Sequence, residues 1–335
     1  MDRARAVSGR RDPRGAALSA RGRVESGLTD VAAPATWRKV LAFAVIYLVW
    51  GSTFFAIRIG VREVPPFLLA AMRFWAAGLA LYVWTLISGA RSPTLLEWRS
   101  TFLVAPLIFV VDFGLVFWAE QRVPSGLTAV MMATIPMFMV ASEIVLLGTA
   151  RFTLRLVIAL AIGVGGVAVL TGSGLRLGGA PIDRVGAAAL IAAALGWSIG
   201  SVLTRKLPLP ASKMMSSASQ MLAGGVLLSV TAAVLGEWRG FHASRVSRDA
   251  WFALLYLIVA GSIVAFTAYV WLLHHESTSR VSTYAYVNPV VAVLLGVWLG
   301  HEALNVRTII GSLLVLVSVI VITTMRSKPP LRTNP

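Results

Sequence analysis

The chain has 335 residues, of which 57% are hydrophobic and 13% charged, and its mean hydropathy is +0.80; soluble domains do not have that balance. It contains no cysteine, which excludes disulfides, thiolate metal sites and thiol catalysis. A net charge of +16 would suit a nucleic-acid partner if it covered a soluble face, but the basic residues lie in short connections and tails between apolar runs, so the positive-inside effect accounts for them and no nucleic acid is expected.

Residues 1–37 combine many Arg with Gly, Ser, Ala and Pro, a composition that predicts a disordered basic cytoplasmic tail. A secretory signal fits poorly, because the first apolar run starts late, is long and shows no small-residue cleavage site. Apolar runs of about 20 residues, the length that crosses a bilayer, then follow near 39–60, 64–88, 99–119, 124–147, 154–173, 185–205, 212–236, 250–273, 279–300 and 305–325. The expected fold is an all-α membrane protein with ten transmembrane helices and both ends on one side, residues 326–335 forming a second cytoplasmic tail. Lys and Arg are more frequent on the side that holds the termini, so N-in and C-in is expected, although much of that excess lies in the N-terminal tail. Basic residues are nearly all Arg, the usage of a GC-rich bacterial genome, which points to an inner or plasma membrane.

The runs repeat. A shift of 147 aligns Trp50 with Trp197, Arg58 with Arg205, Arg73 with Gln220 and Ala76-Ala77-Gly78 with Ala223-Gly224-Gly225. Beyond the second run a shift of 153 aligns Trp118 with Trp271, Pro136 with Pro289 and Ala150 with Ala303. Residues 38–173 and 174–325 thus read as two five-helix copies. An odd number of crossings per copy inserts the second upside down, and inverted repeats with interrupted helices place a substrate site at their interface. The stretch Val281–Ala303 carries Ser282, Thr283, Tyr284, Tyr286, Asn288 and Pro289 in its front half. Polar groups and a missing N–H need partners in hydrocarbon, so this run is expected to be broken at Pro289 and to line a cavity.

The run TYAYVNPVVAVLLG followed by Gly300-His301-Glu302, together with YLIVAGSIVAFTAYVWLL, QMLAGG and WGSTFFAIR, resembles the EamA family of the drug/metabolite transporter superfamily over about residues 38–325. The resemblance implies two inverted five-helix repeats, cytoplasmic termini and secondary export of small metabolites such as amino acids or drugs. One departure stands out: Glu302 has no acidic counterpart in the first copy, where Thr149 takes the aligned place.

Ionisable residues inside spans are functional candidates because each is costly in lipid. Arg73 lies on a helix face with Ala70, Ala77 and Ala80, and it either anchors an anionic substrate group or forms a fixed pair with a carboxylate. Asp112 and Glu143 are the candidate proton carriers; for Glu143, near the end of its span, snorkelling is the plainer alternative. Trp50, Trp118, Trp197 and Trp271 would supply aromatic walls for an organic substrate, or packing. Ser52, Thr53, Gln220, Tyr284 and Asn288 offer neutral hydrogen bonds, to substrate or between helices.

His274, His275 and Glu276 lack the spacing of a helical zinc site and read as an interfacial loop, so no metal is expected. The glycines of Gly163–Val169 read as helix packing. With no phosphate-binding loop, nucleophile–base set or cofactor signature, the chain is expected to be neither an enzyme nor an ATPase. Its expected partners are the bilayer and a small-molecule substrate, with a homodimer left open. A carrier working by alternating access is the leading expectation, and a passive channel is its nearest rival.

Overall fold

A computed structural model describes residues 35–148, 153–171, 183–276, 278–281 and 283–325, and these are helical apart from their connections. Of the predicted tails, 1–37 and 326–335, residues 1–34 and 326–335 lie outside the described residues, while Thr36 and Trp37, expected in the tail, already form the start of the first helix. The long helices are α1 (Thr36–Gly60), α2 (Pro66–Ile87), α3 (Leu95–Ala119), α4 (Ser125–Leu147), α5 (Leu154–Thr171), α6 (Arg184–Leu203), α7 (Lys213–Val234), α8 (Arg248–Leu273), α9 (Tyr284–Trp298) and α10 (Val306–Met325). Seven of them are long and apolar enough to cross a membrane, while Leu154–Leu170, Tyr284–Trp298 and Val306–Ile322 are shorter apolar helices. Large side chains such as Trp84, Ile87, Val145, Leu154 and Trp298 face outward, as lipid contact allows.

Helix starts follow from local chemistry. α2 opens on Pro65-Pro66, where a missing N–H costs nothing. Thr94 and Glu97 form a capping box at α3, a signal that extends this helix four residues before the expected position 99. Asp183, Ser212 and Ser247 cap α6, α7 and α8 through their side-chain oxygens.

Two helices change winding part-way. α3 is π-helical over Pro106–Gly114 and α8 over Leu257–Val264. Pro106 has no N–H for the normal ladder, and in α8 the Ser262 hydroxyl donates to Leu257 O five residues back, at 2.9 Å. α4 is interrupted at Ala133–Thr134, just before Pro136, which cannot return a bond to Met132. The expected break at Pro289 does not occur: α9 runs through it from Tyr284 to Trp298. Pro289 sits early enough that the orphaned carbonyl, Ala285 O, belongs to the first turn.

Small residues bring helices into close contact. Gly78 of α2 abuts Met221 and Leu222 of α7, and Gly225 abuts Trp75, so the two glycine motifs matched by the 147-residue shift pack against each other. A β-carbon on Gly224 would lie 2.1 Å from Phe109 Cγ. In the same way Gly166 of α5 meets Gly311 and Val315 of α10, the packing role expected for that glycine run. Gly126 of α4 meets Val293 of α9. Phe74, Phe117, Leu68, Met131, Leu190 and Leu257 are fully buried between these helices.

Candidate functional site

Trp50, in the middle of α1, is a junction of two polar and aromatic groups. Its indole N–H donates to Gly261 O in the π segment of α8, at 3.0 Å. Its ring lies 5.3 Å from Tyr269 and 5.0 Å from Tyr284, edge-on to the latter, and the two tyrosine rings are 6.0 Å apart. Asn288, one turn beyond Tyr284, is buried; with its amide nitrogen turned toward its acceptors it donates to Tyr47 O at 3.2 Å and Tyr284 O at 3.3 Å. Tyr47 also shares a hydrogen bond with Thr283. The front of α9 is thus tied to α1 by side chains that its sequence marked as unsuited to lipid.

On the other side of Trp50, Ser52 exchanges a 2.6 Å hydrogen bond with Tyr256 of α8, and Thr53 bonds its own helix at Trp50 O. A β-carbon on Gly261 would lie 2.9 Å from Thr53 and 3.4 Å from Arg73 Nη2, so glycine lets α1, α2 and α8 meet there. Arg73, 5% exposed, donates from Nε to Ser262 Oγ at 2.9 Å. Its guanidinium lies 5.0 Å from the Phe74 ring, 5.6 Å from Phe113 and 6.0 Å from Phe117, contacts that stabilise a cation in a dry setting. Among the described residues Arg73 forms no ion pair. Its neighbours Ala70 and Ala77 are buried, while Ala80 is exposed. Trp197 joins this group edge-on through Phe113, at 5.8 Å.

The remaining predicted residues have other surroundings. Asp112, in the π segment of α3, is 3% exposed and its Oδ1 has no hydrogen-bond partner. Gln220 bonds Ser216 on its own helix, Trp118 lies under the Arg122 guanidinium, and Trp271 stacks on His275. Glu143 accepts from Arg205 at 2.7 Å, while Lys206 donates to Leu146 O at the end of α4. Glu276 is held by Lys39 at 2.9 Å and Arg280 at 3.1 Å, and these bonds, that to Lys39 foremost, keep its carboxyl below the usual range. A hollow of about 380 Å³ beside the α7–α8 connection is lined by Glu63, Phe241, His242 and Arg245 among others and includes none of the predicted residues.

The start of α4 holds a group that the sequence did not reveal. Glu302, from the connection after α9, accepts from Ser125 N and Ser125 Oγ at 2.7 Å and from Gly126 N at 3.1 Å. It therefore serves as the N-terminal cap of α4 from a distant part of the chain. Arg58, at the end of α1, lies 3.5 Å from Glu302 and donates to Glu120 O and Val123 O at 2.9 and 2.7 Å. Glu120, the first residue after α3, is 1% exposed and neither carboxylate oxygen has a partner. Burial, with the Glu302 charge adding to it and Arg58 opposing it, pushes its carboxyl well above the usual range. Glu237 caps Phe67 and Leu68 at the start of α2 in a similar manner; burial raises its carboxyl too. Carboxylates at the ends of apolar runs read as ordinary interfacial charge, and only Glu302 drew notice, through its unmatched place in the repeat.

Arg58 and Arg205, aligned by the 147-residue shift, thus each hold a carboxylate, and they do so at opposite ends of α4. The acidic partner missing at position 149 is supplied six residues earlier, by Glu143. The EamA-like transporter family matches this chain over residues 37–172 and 184–324.

The chain belongs to the EamA-like transporter family.

It is 40% identical to the uncharacterized inner membrane transporter YedA of Escherichia coli K12, over 79% of this chain and 83% of that protein. Protein PecM of Dickeya dadantii is 27% identical over 82% of this chain and 88% of its own. Protein PagO of Salmonella typhimurium is 24% identical over 86% and 94%. One solved structure covers 86% of this chain and 96% of its own at 22% identity, with a TM-score of 0.57, so the fold is shared. Membership in the EamA-like family, with the apolar helices, makes this a multi-pass membrane transporter.

Proposed function

We propose that this protein is a secondary carrier of the inner membrane that exports small organic metabolites, amino acids or drug-like solutes, by alternating access. In this reading residues 38–173 and 174–325 are inverted five-helix repeats with both termini cytoplasmic. The matched arginines carry the argument: Arg58 and Arg205 clasp carboxylates at the two ends of α4, which gives one closure for each side of the membrane. Support for the repeat comes from the close packing of α2 on α7, α4 on α9 and α5 on α10, each helix on the one aligned with it in the other half, and from π segments in both α3 and α8.

Solute would be held where α1, α2, α8 and α9 converge. Arg73 offers a cation that no carboxylate among the described residues neutralises, Ser52, Thr53, Tyr284 and Asn288 offer hydrogen bonds, and Trp50 and Trp197 offer aromatic faces; Trp118, Trp271 and Gln220 are more distant contributors. Asp112, buried with a free oxygen, is the mid-helix carboxyl we assign to proton carriage, and Glu143 belongs to the closure with Arg205. The test compares culture media of cells lacking and overproducing the protein. A solute that accumulates only with the protein should then cross liposomes containing it, without ATP, and Arg73→Gln should abolish that flux. Absence of any such solute, a need for nucleotide, or ion currents too large for one-by-one turnover would each defeat the proposal.

A further inference from the structure

The junction at the start of α4 contains more acid than base. Among the described residues Arg58 is the one cation bearing on it, and Glu302 already faces that guanidinium while accepting three hydrogen bonds. Glu120 is left with a buried carboxyl group that no donor satisfies: Arg58 reaches its backbone carbonyl, and neither side-chain oxygen has a partner. Arg122, on the same turn, points elsewhere, lying 3.6 Å from Asp183 and over the Trp118 ring. A second full charge here would make the enclosed group of Arg58, Glu302 and Glu120 net negative without compensation, whereas a proton on Glu120 makes it neutral. The upward displacement of the Glu120 carboxyl by burial agrees with this placement of the proton.

We propose that Glu120 is a proton-binding site of this carrier: it is a neutral acid while the Arg58–Glu302 junction is closed, and it gives its proton to water when α1 draws away from the start of α4. The balance is one O–H bond broken at Glu120 and one proton delivered to the water that enters, with the carboxylate then hydrated. Reclosure takes one proton back. The inference rests on the alternating-access reading, since it identifies the junction with one of the two closures. It also places proton binding at a helix junction, outside the apolar interior that holds Asp112.

The absence of native cysteine allows spin labels at two introduced positions. Arg62→Cys, exposed just after α1, and Leu304→Cys, exposed just after Glu302, bracket the junction. Pulsed electron-resonance distances in the full-length protein in lipid nanodiscs should show a short, closed population at pH 6. A longer population should grow at higher pH, with the open-to-closed ratio rising about tenfold per pH unit where one proton is released. Glu120→Gln, a permanently neutral mimic, should stay closed at every pH, and Glu120→Asp should keep the transition with a displaced midpoint. A transition unchanged in Glu120→Gln, or no transition in the labelled parent between pH 6 and 9, overturns the proposal. If Glu120→Gln does not fold, an unmoved midpoint in Glu120→Asp does the same. No solute is needed, so a failed search for a transported metabolite removes the carrier reading without touching this result, and a missing transition in a protein that does transport removes Glu120 alone.

Discussion

Glu302→Gln is the change whose cost follows most directly from the geometry. The carboxylate accepts from Ser125 N, Ser125 Oγ and Gly126 N, and Arg58 lies 3.5 Å away. Glutamine keeps one acceptor oxygen and turns an NH₂ group toward the other donors, so at least one N–H in the first turn of α4 loses its partner. Hydrogen bonds to a charged group contribute about 1.5–3 kcal/mol each. Losing the attraction to Arg58 adds little, since that guanidinium is partly exposed and keeps its bonds to Glu120 O and Val123 O. The expected loss is therefore ~2–3 kcal/mol. At the ~2 °C per kcal/mol that suits the larger chains, this lowers the thermal midpoint by about 4–6 °C. Thermal unfolding in detergent micelles, followed by tryptophan fluorescence, would measure it. Combining the change with Ser125→Ala should give a coupling of about 0.5–1.5 kcal/mol, because the two side chains share a hydrogen bond. A midpoint within 1 °C of the parent, or strictly additive costs, would refute the claim that Glu302 caps α4.

Two further outcomes follow from packing and charge. Gly224→Ala should destabilise the protein by ~1–3 kcal/mol, because its β-carbon would lie 2.1 Å from Phe109 Cγ. Gly165→Ala, with nothing within 4 Å, should be neutral or slightly stabilising through helix propensity, and the same thermal assay compares the two. The lowered carboxyl of Glu276 contributes stability that is present above its ordinary value of 4.5 and is lost as pH falls through the depressed folded value. Lys39→Met should shrink that acid-side loss in a pH series of thermal midpoints, and an unchanged series would remove the Lys39–Glu276 pair from the explanation.

Much of the helix layout was legible in the residues. Each apolar run announces itself by length and composition, since lipid leaves the backbone no option but to satisfy itself within a helix. Trp50, Arg73, Tyr284 and Asn288 were legible for the same reason, being polar or amphipathic groups in segments that lipid alone would not select. The π segments were less visible. Pro106 was a readable cue in α3, but in α8 Gly261 and Ser262 look like ordinary small residues until Arg73 and Trp50 arrive against them. Pro289 misled, because the effect of a proline depends on how far it stands from the helix start.

By itself the sequence determined that the chain is a bundle of apolar helices and where most of them begin and end, because those properties depend on neighbours along the chain and on the solvent each segment requires. Only the tertiary structure decided that Glu302 caps α4, that Arg73 pairs with a serine instead of a carboxylate, and that Glu120 is enclosed without a partner. Whether a charge is solvated, paired or stranded depends on groups brought close in space from remote parts of the chain, and local composition carries no record of that distance.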